Sequence, residues 1–128
     1  MRPDESIYLL HMAGAVDRAL GYIAGMDEAA FGKNALVQDG VIRQLEIIGE
    51  AARHITSESR RAYPSVRWDE MAGMRDKLIH GYFGVDLGRV WLTAAEDLPV
   101  LRDQITAILA DCLVRRRPHD EEKPPGKN

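Results

Sequence analysis

The chain has 128 residues, 45% apolar and 29% charged, enough for one domain around one core but not comfortably for two. Seventeen Lys and Arg against twenty Asp and Glu give a net charge of −3, so no overall basic field marks a nucleic-acid binder and any such surface must be local. The lone cysteine, Cys112, excludes an internal disulfide and a cysteine-based structural zinc.

Apolar residues recur at helical spacing almost throughout, and no segment alternates with a period of two, which predicts an all-α fold. A first helix is predicted over residues 4–23, capped by Asp4, with Ile7, Leu10, Ala13, Val16, Leu20 and Ile23 turned inward and Gly25 beyond its end. Residues 27–33 read as a short turn. A second long helix covers 34–56, with Val41, Leu45, Ile48, Ala52 and Ile55 on its inner side. Gly40 and Gly49 inside it each cost about 1 kcal/mol relative to Ala, which predicts close packing of another helix there.

After polar residues 57–61 and the breaker Pro64, a third helix over 68–79 is expected to stop at Gly81. Asp86 is positioned to cap a fourth helix reaching 95, with Val85 and Val90 at the spacing of a hydrophobic staple. Pro99 opens the fifth, whose stripe is Leu101, Ile105, Ile108, Cys112 and Leu113 and which ends among Arg115, Arg116 and Arg117. Residues 115–128 hold three prolines, many charges and little that is apolar, so a disordered tail is expected to follow a helical domain of residues 1–114. The architecture expected is an up-and-down bundle of about five helices. No apolar run approaches the roughly 18 residues that span a bilayer, and Met1-Arg2-Pro3-Asp4-Glu5 lacks the order of a secretory leader. A cytoplasmic protein without membrane contact is the expectation.

The third helix carries the chemistry. On a helical wheel Trp68, Met71, Ala72, Leu78 and Ile79 define its buried side, and Arg75 falls inside that side. A guanidinium keeps its proton, so there it needs a carboxylate partner or a phosphate to hold. Asp76 and His80, four apart, share a second face, and a carboxylate beside an imidazole fixes its tautomer and favours its charged form. Arg75, His80 and Tyr82 form the pattern Arg, four residues, His, one residue, Tyr, expected by chance about 0.01 times in a chain of this composition.

The stretch Met74-Arg75-Asp76-Lys77-Leu78-Ile79-His80-Gly81-Tyr82-Phe83-Gly84-Val85-Asp86 closely resembles the HepT toxins of the HEPN superfamily, small helical ribonucleases. The segment from Ile42 to Ala52, with Val90-Trp91 and Asp97-Leu98-Pro99, agrees with it. The resemblance covers about residues 4–110. It implies a HEPN-like bundle that homodimerises with the motifs facing a shared cleft, and metal-independent cleavage of RNA in which Arg75 and His80 match the catalytic Arg and His and Asp76 a supporting position. No cofactor is implied. The resemblance further implies a type VII toxin-antitoxin pair, in which a nucleotidyltransferase antitoxin of the MntA type transfers AMP onto the motif tyrosine, here Tyr82.

RNA can be cut without a metal because its own 2′-hydroxyl lies within reach of the adjacent phosphorus. His80 would move the proton and Arg75 would hold the phosphate oxygens as charge accumulates. Seven Lys or Arg lie between Arg53 and Arg89 against five acids, a modest local excess that dimerisation would double along one cleft. Glu46, Glu50, Arg43 and Arg53 read as an ion-pair ladder, with Glu50 and Glu46 as candidate partners of Arg75. His11, His54 and His119 have no ligand-like spacing and are assigned no chemistry; Trp68 and Trp91 read as core or interface anchors. Two alternatives stay open: a HEPN-type module that binds without cutting, and the inhibitory half of a two-gene pair.

Overall fold

The computed structural model describes residues 1–80 and 85–122, the side chains of 79, 80 and 115–122 excepted. After a 3₁₀ turn at Pro3–Glu5, the helices are α1 (Ser6–Tyr22), α2 (Glu28–Gly32), α3 (Ala35–Arg53), α4 (Ser57–Ala62), α5 (Trp68–His80), α6 (Leu87–Leu92) and α7 (Leu98–Glu122). The described residues contain no strand, so the all-α expectation holds. The chain forms a helical bundle with α3 at its centre, α1 on one side, α5 on the other, and α7 against α1.

Side-chain caps start four of the helices. Asp27 accepts from the Ala30 amide, Asn34 from Val37, Thr56 from Ser59 and Asp86 from Arg89, each satisfying an amide that the first turn cannot pair internally. Asp86 is a cap the sequence predicts and Asn34 stands at the predicted start of the second long helix, whereas Asp4 lies within the 3₁₀ turn and caps nothing there. Residues 27–33 are not a turn but α2, and part of the polar stretch 57–61 is α4, because Asp27 and Thr56 supply caps. Beyond α1, Gly25 takes φ 78°, a left-handed conformation suited to glycine that turns the chain toward α2.

The α3 stripe is as expected: Val41, Leu45, Ile48, Ala52 and Ile55 are buried. On α1 the stripe is rotated: of the expected set Val16 and Ile23 are buried and Ala13 and Leu20 partly so. Leu9, Met12, Ala15, Val16 and Ala19 form the buried side, while Ile7 and Leu10 are 49% and 54% exposed. Apolar residues occupy two sides of this helix, so spacing alone left its inner face ambiguous, and packing against both α3 and α7 selects the other phase. Similarly Leu101, Ile105, Ile108 and Cys112 are buried but Leu113 is exposed. Trp68 is a core anchor whose indole N–H donates to the Tyr63 carbonyl at 3.0 Å.

Instead of breaking at Pro99, the chain runs from α6 through a π-helical stretch, Thr93–Asp97, directly into α7. Proline has no amide hydrogen and its ring crowds the carbonyl four residues back; the wider turn before it relieves that crowding without ending the rod. The backbone of α7 also passes the expected stop at Arg115 to Arg117 and continues to Glu122. Opposite charges four apart in the sequence, Arg116 with Asp120 and Arg117 with Glu121, suit a helix there. Residues 123–128 of the expected tail lie outside the described residues.

Two polar ties hold the ends of α3 and α4. Arg60 donates to the carbonyls of Ile55 at 3.1 Å and Ala52 at 2.9 Å and pairs with Asp69, so one guanidinium closes the C-terminus of α3 onto the start of α5. Glu5, 3% exposed, accepts from the Thr56 amide at 2.8 Å and the Ser59 hydroxyl at 2.9 Å. Burial pushes the Glu5 carboxyl up, but the amide of Thr56, the hydroxyl of Ser59, the amide of Arg2 and the hydroxyl of Thr56 outweigh it and hold the group below its ordinary 4.5. A carboxyl held low stabilises the fold above its unfolded value and loses that contribution as pH falls through the folded one. Glu5→Gln is expected to lower stability at neutral pH by about 1–3 kcal/mol. In urea titrations the gap to the parent chain should narrow below pH ~4.

Candidate functional site

The site is assembled where α5 crosses α3. A Cβ placed on Gly49 would stand 2.3 Å from the Arg75 Cβ and 2.6 Å from the Met71 carbonyl oxygen, so the absence of a side chain at 49 is what lets the two helices meet. This is the close approach the sequence predicts for Gly49; at Gly40 the neighbour is the Tyr22 ring, 3.1 Å from a would-be Cβ. Arg75 leaves this crossing half-buried, its side chain 28% exposed, in line with its place on the wheel.

Arg75 is held by carboxylates on both helices. Its Nε lies 3.3 Å from Glu50 Oε1, and its Nη1 donates to Asp76 Oδ1 at 3.0 Å. Asp76 also accepts from Arg53 Nη1 at 3.1 Å. Glu50 Oε2 is 3.2 Å from His54 Nε2, and the His54 ring stacks on Tyr8 with centroids 4.6 Å apart and planes 6° from parallel. A chain of contacts thus runs Tyr8, His54, Glu50, Arg75, Asp76, Arg53. Of the two expected partners of Arg75, Glu50 takes the role while Glu46 pairs with Arg43 at 3.5 Å.

The sequence offers Glu50 as a partner of Arg75, as the structure has it; Asp76, placed by the sequence beside His80, pairs with Arg75 as well. Sequence reasoning passes over His54, although Glu50 and His54 stand four apart on one helix, a spacing that could have revealed the pair. α5 carries both Asp76 and His80, so their shared face stands as a matter of register; the side chain of His80 and all of Tyr82 lie outside the described residues. Of the seven cations counted between Arg53 and Arg89, Arg53, Arg60, Arg67 and Arg75 each pair with a carboxylate.

A groove of about 750 Å³ lies on the other side of α5, lined by Met71, Met74, Lys77, Leu78, Val85 and Leu101 among others, and none of Glu50, Arg53, Arg75 or Asp76 borders it. Among the described residues no group of three or more His, Cys, Asp and Glu could hold a metal ion, and no helix is long and apolar enough to cross a membrane.

The sequence profile of the family described as ribonuclease HepT-like matches residues 12–108. The chain belongs to the HepT-like ribonuclease family. Among relatives, a candidate RNase of Methanocaldococcus jannaschii is 39% identical over 108 residues, 84% of this chain and 93% of that one. A longer protein of the same organism, named a gamma-glutamylcyclotransferase and candidate RNase, is 40% identical over 111 residues, 87% of this chain. The chain spans about half, 50%, of that relative. A probable ribonuclease HepT of Thermococcus cleftensis is 55% identical over 65 residues, 51% of this chain and 59% of that one. No solved structure matches the chain. The family match includes both α3 and α5 and so the whole crossing that carries Arg75.

Gly49→Ala tests that crossing. Ala gains about 1 kcal/mol in a helix, yet the added methyl meets backbone and Cβ, so a net destabilisation of about 1–3 kcal/mol is expected in denaturant titrations.

Proposed function

We propose that this HepT-like chain is the toxin of a type VII toxin-antitoxin pair, an endoribonuclease that cuts RNA without a metal. The observation that carries the reading is Arg75: a half-buried guanidinium, aimed by Glu50 and Asp76 from a glycine-tight helix crossing, in a chain whose family is named for ribonuclease activity. Arg75 binds the phosphate oxygens and stabilises charge as it develops. His80 moves the proton. The 2′-oxygen attacks phosphorus and its proton leaves to a base; the 5′-oxygen departs and receives a proton from an acid. The products are a 2′,3′-cyclic phosphate and a 5′-hydroxyl. A homodimer brings two His80 residues to one cleft, one as base and one as acid, with Asp76 supporting.

Regulation in this reading falls on Tyr82. A partner nucleotidyltransferase of the MntA type transfers AMP from ATP to its oxygen with release of pyrophosphate, and the added anion occupies the region where RNA phosphate binds. A second reading has one specific observation in its favour. Both oriented contacts of Arg75 are carboxylates of its own protomer, as a structural ion pair in a binding module would have them.

Cleavage of a labelled RNA in the presence of a chelator separates the two. Arg75→Gln and His80→Ala are expected to lose about 10²- to 10⁴-fold in rate, while the parent chain keeps its rate and sediments at twice the 14.3 kDa protomer mass. Undiminished cleavage by both variants, or none by the parent chain, would leave the binding module. Tyr82→Phe is expected to cut RNA as the parent does but to escape silencing when co-expressed with the nucleotidyltransferase, read as growth arrest that the partner no longer relieves.

A further inference from the structure

We propose that His54 is a positioning residue for Arg75, acting through the one carboxylate the two side chains share. The inference rests on the RNA-cleavage reading for its consequence but on geometry for its content. Glu50 offers one oxygen to each neighbour: Oε1 at 3.3 Å from Arg75 Nε and Oε2 at 3.2 Å from His54 Nε2. With both oxygens engaged, the plane of the carboxylate is fixed, and with it the direction of the guanidinium. His54 is itself fixed. Its ring lies flat against Tyr8 of α1, and Tyr8 meets His11 edge-on with centroids 6.3 Å apart.

His54 is also the C-cap of α3, where the carbonyl end of the helix favours a cation. Among the described residues, the charged and titratable groups around it are Glu50 and Arg53 from α3, Arg75 and Asp76 from α5 beyond Glu50, and Tyr8 and His11 from α1. Glu5 reaches the segment from the N-terminal turn, bonding the Thr56 amide.

Among the described side chains at the crossing, the charges cancel when His54 is neutral: Arg53 and Arg75 stand against Glu50 and Asp76. A phosphate would then enter a site whose cations are already matched. Once charged, His54 competes for Glu50, the cluster carries one net positive charge, and Arg75 is released to grip an incoming anion. His54 thereby sets how much of the Arg75 charge the substrate meets.

The test uses the full chain and a 2′-O-methylated RNA oligonucleotide, which keeps the phosphates but cannot be cut, with fluorescence anisotropy as the readout. Between pH 8 and 5.5 the parent chain should gain about three- to tenfold in affinity. His54→Asn should flatten that step to less than about twofold, and His54→Lys, charged throughout, should bind at both pH values as the parent does when acidic. A step of full size in His54→Asn, or His54→Lys binding no better than His54→Asn at pH 8, overturns the proposal and assigns the titration to His80 or His11. A ligand-free measurement keeps the two readings apart. The Arg75 Nε–H resonance should move over the same pH range in the parent and stay still in His54→Asn. A resonance that does not move in the parent overturns the positioning role even if RNA is cut. A moving resonance in a chain that neither binds nor cuts RNA supports it and overturns only the nuclease reading.

Discussion

Everything at the crossing depends on a missing side chain. At Gly49 the axis of α3 comes close enough to α5 that any Cβ would overlap Arg75 and the Met71 carbonyl. Because the helices touch there, Arg75 emerges beside Glu50 rather than into open solvent, and a long flexible cation acquires a direction. The rest of the bundle serves this contact. Arg60 fastens the end of α3 to the beginning of α5, and buried Ile48, Ala52, Trp68 and Met71 fill the space between and around them.

A site made this way is electrically quiet. Its cations are matched by carboxylates within the protomer, and the chain as a whole is negative. Under the proposed nuclease reading, attraction of a polyanion would draw on the redistribution of a few ion pairs at this one place. The exposed pairs contribute little to stability, roughly 0–1 kcal/mol each, which leaves them free to exchange partners. The N-terminus takes part in the arrangement: the buried Glu5 carboxylate binds the segment just after His54 and so helps to bring the start of α1, with Tyr8, alongside that ring.

Much of this was legible in the sequence because it rests on local rules. Asp86 read correctly as a cap, the α3 stripe was unambiguous, and a glycine amid helix formers at 49 pointed to a close neighbour. Position 75 on the wheel gave a half-buried arginine, and Glu50 was among its two candidate partners. What was not legible depends on tertiary choice. α1 is apolar on more than one side, so only its neighbours decide that Leu9 and Met12 face inward and Ile7 and Leu10 do not. The helices α2 and α4 are too short for a periodic signal, and only their caps announce them. The pairing of His54 with Tyr8 joins residues 46 positions apart in the chain, which no spacing rule on one helix can foresee.

The π-helical stretch before Pro99 also has a bearing on how such chains diverge. A wide turn of this kind accommodates one residue more than an α-helical path of the same rise, and each residue along a helix rotates the following side chains by about 100°. The wide turn between Thr93 and Asp97 absorbs that extra residue locally, upstream of Leu101, Ile105 and Ile108. A descendant that lost a single residue there could close the turn to a regular α-helical one and keep its greasy seam inward, whereas the same loss farther along the rod would swing that seam about a quarter-turn toward water.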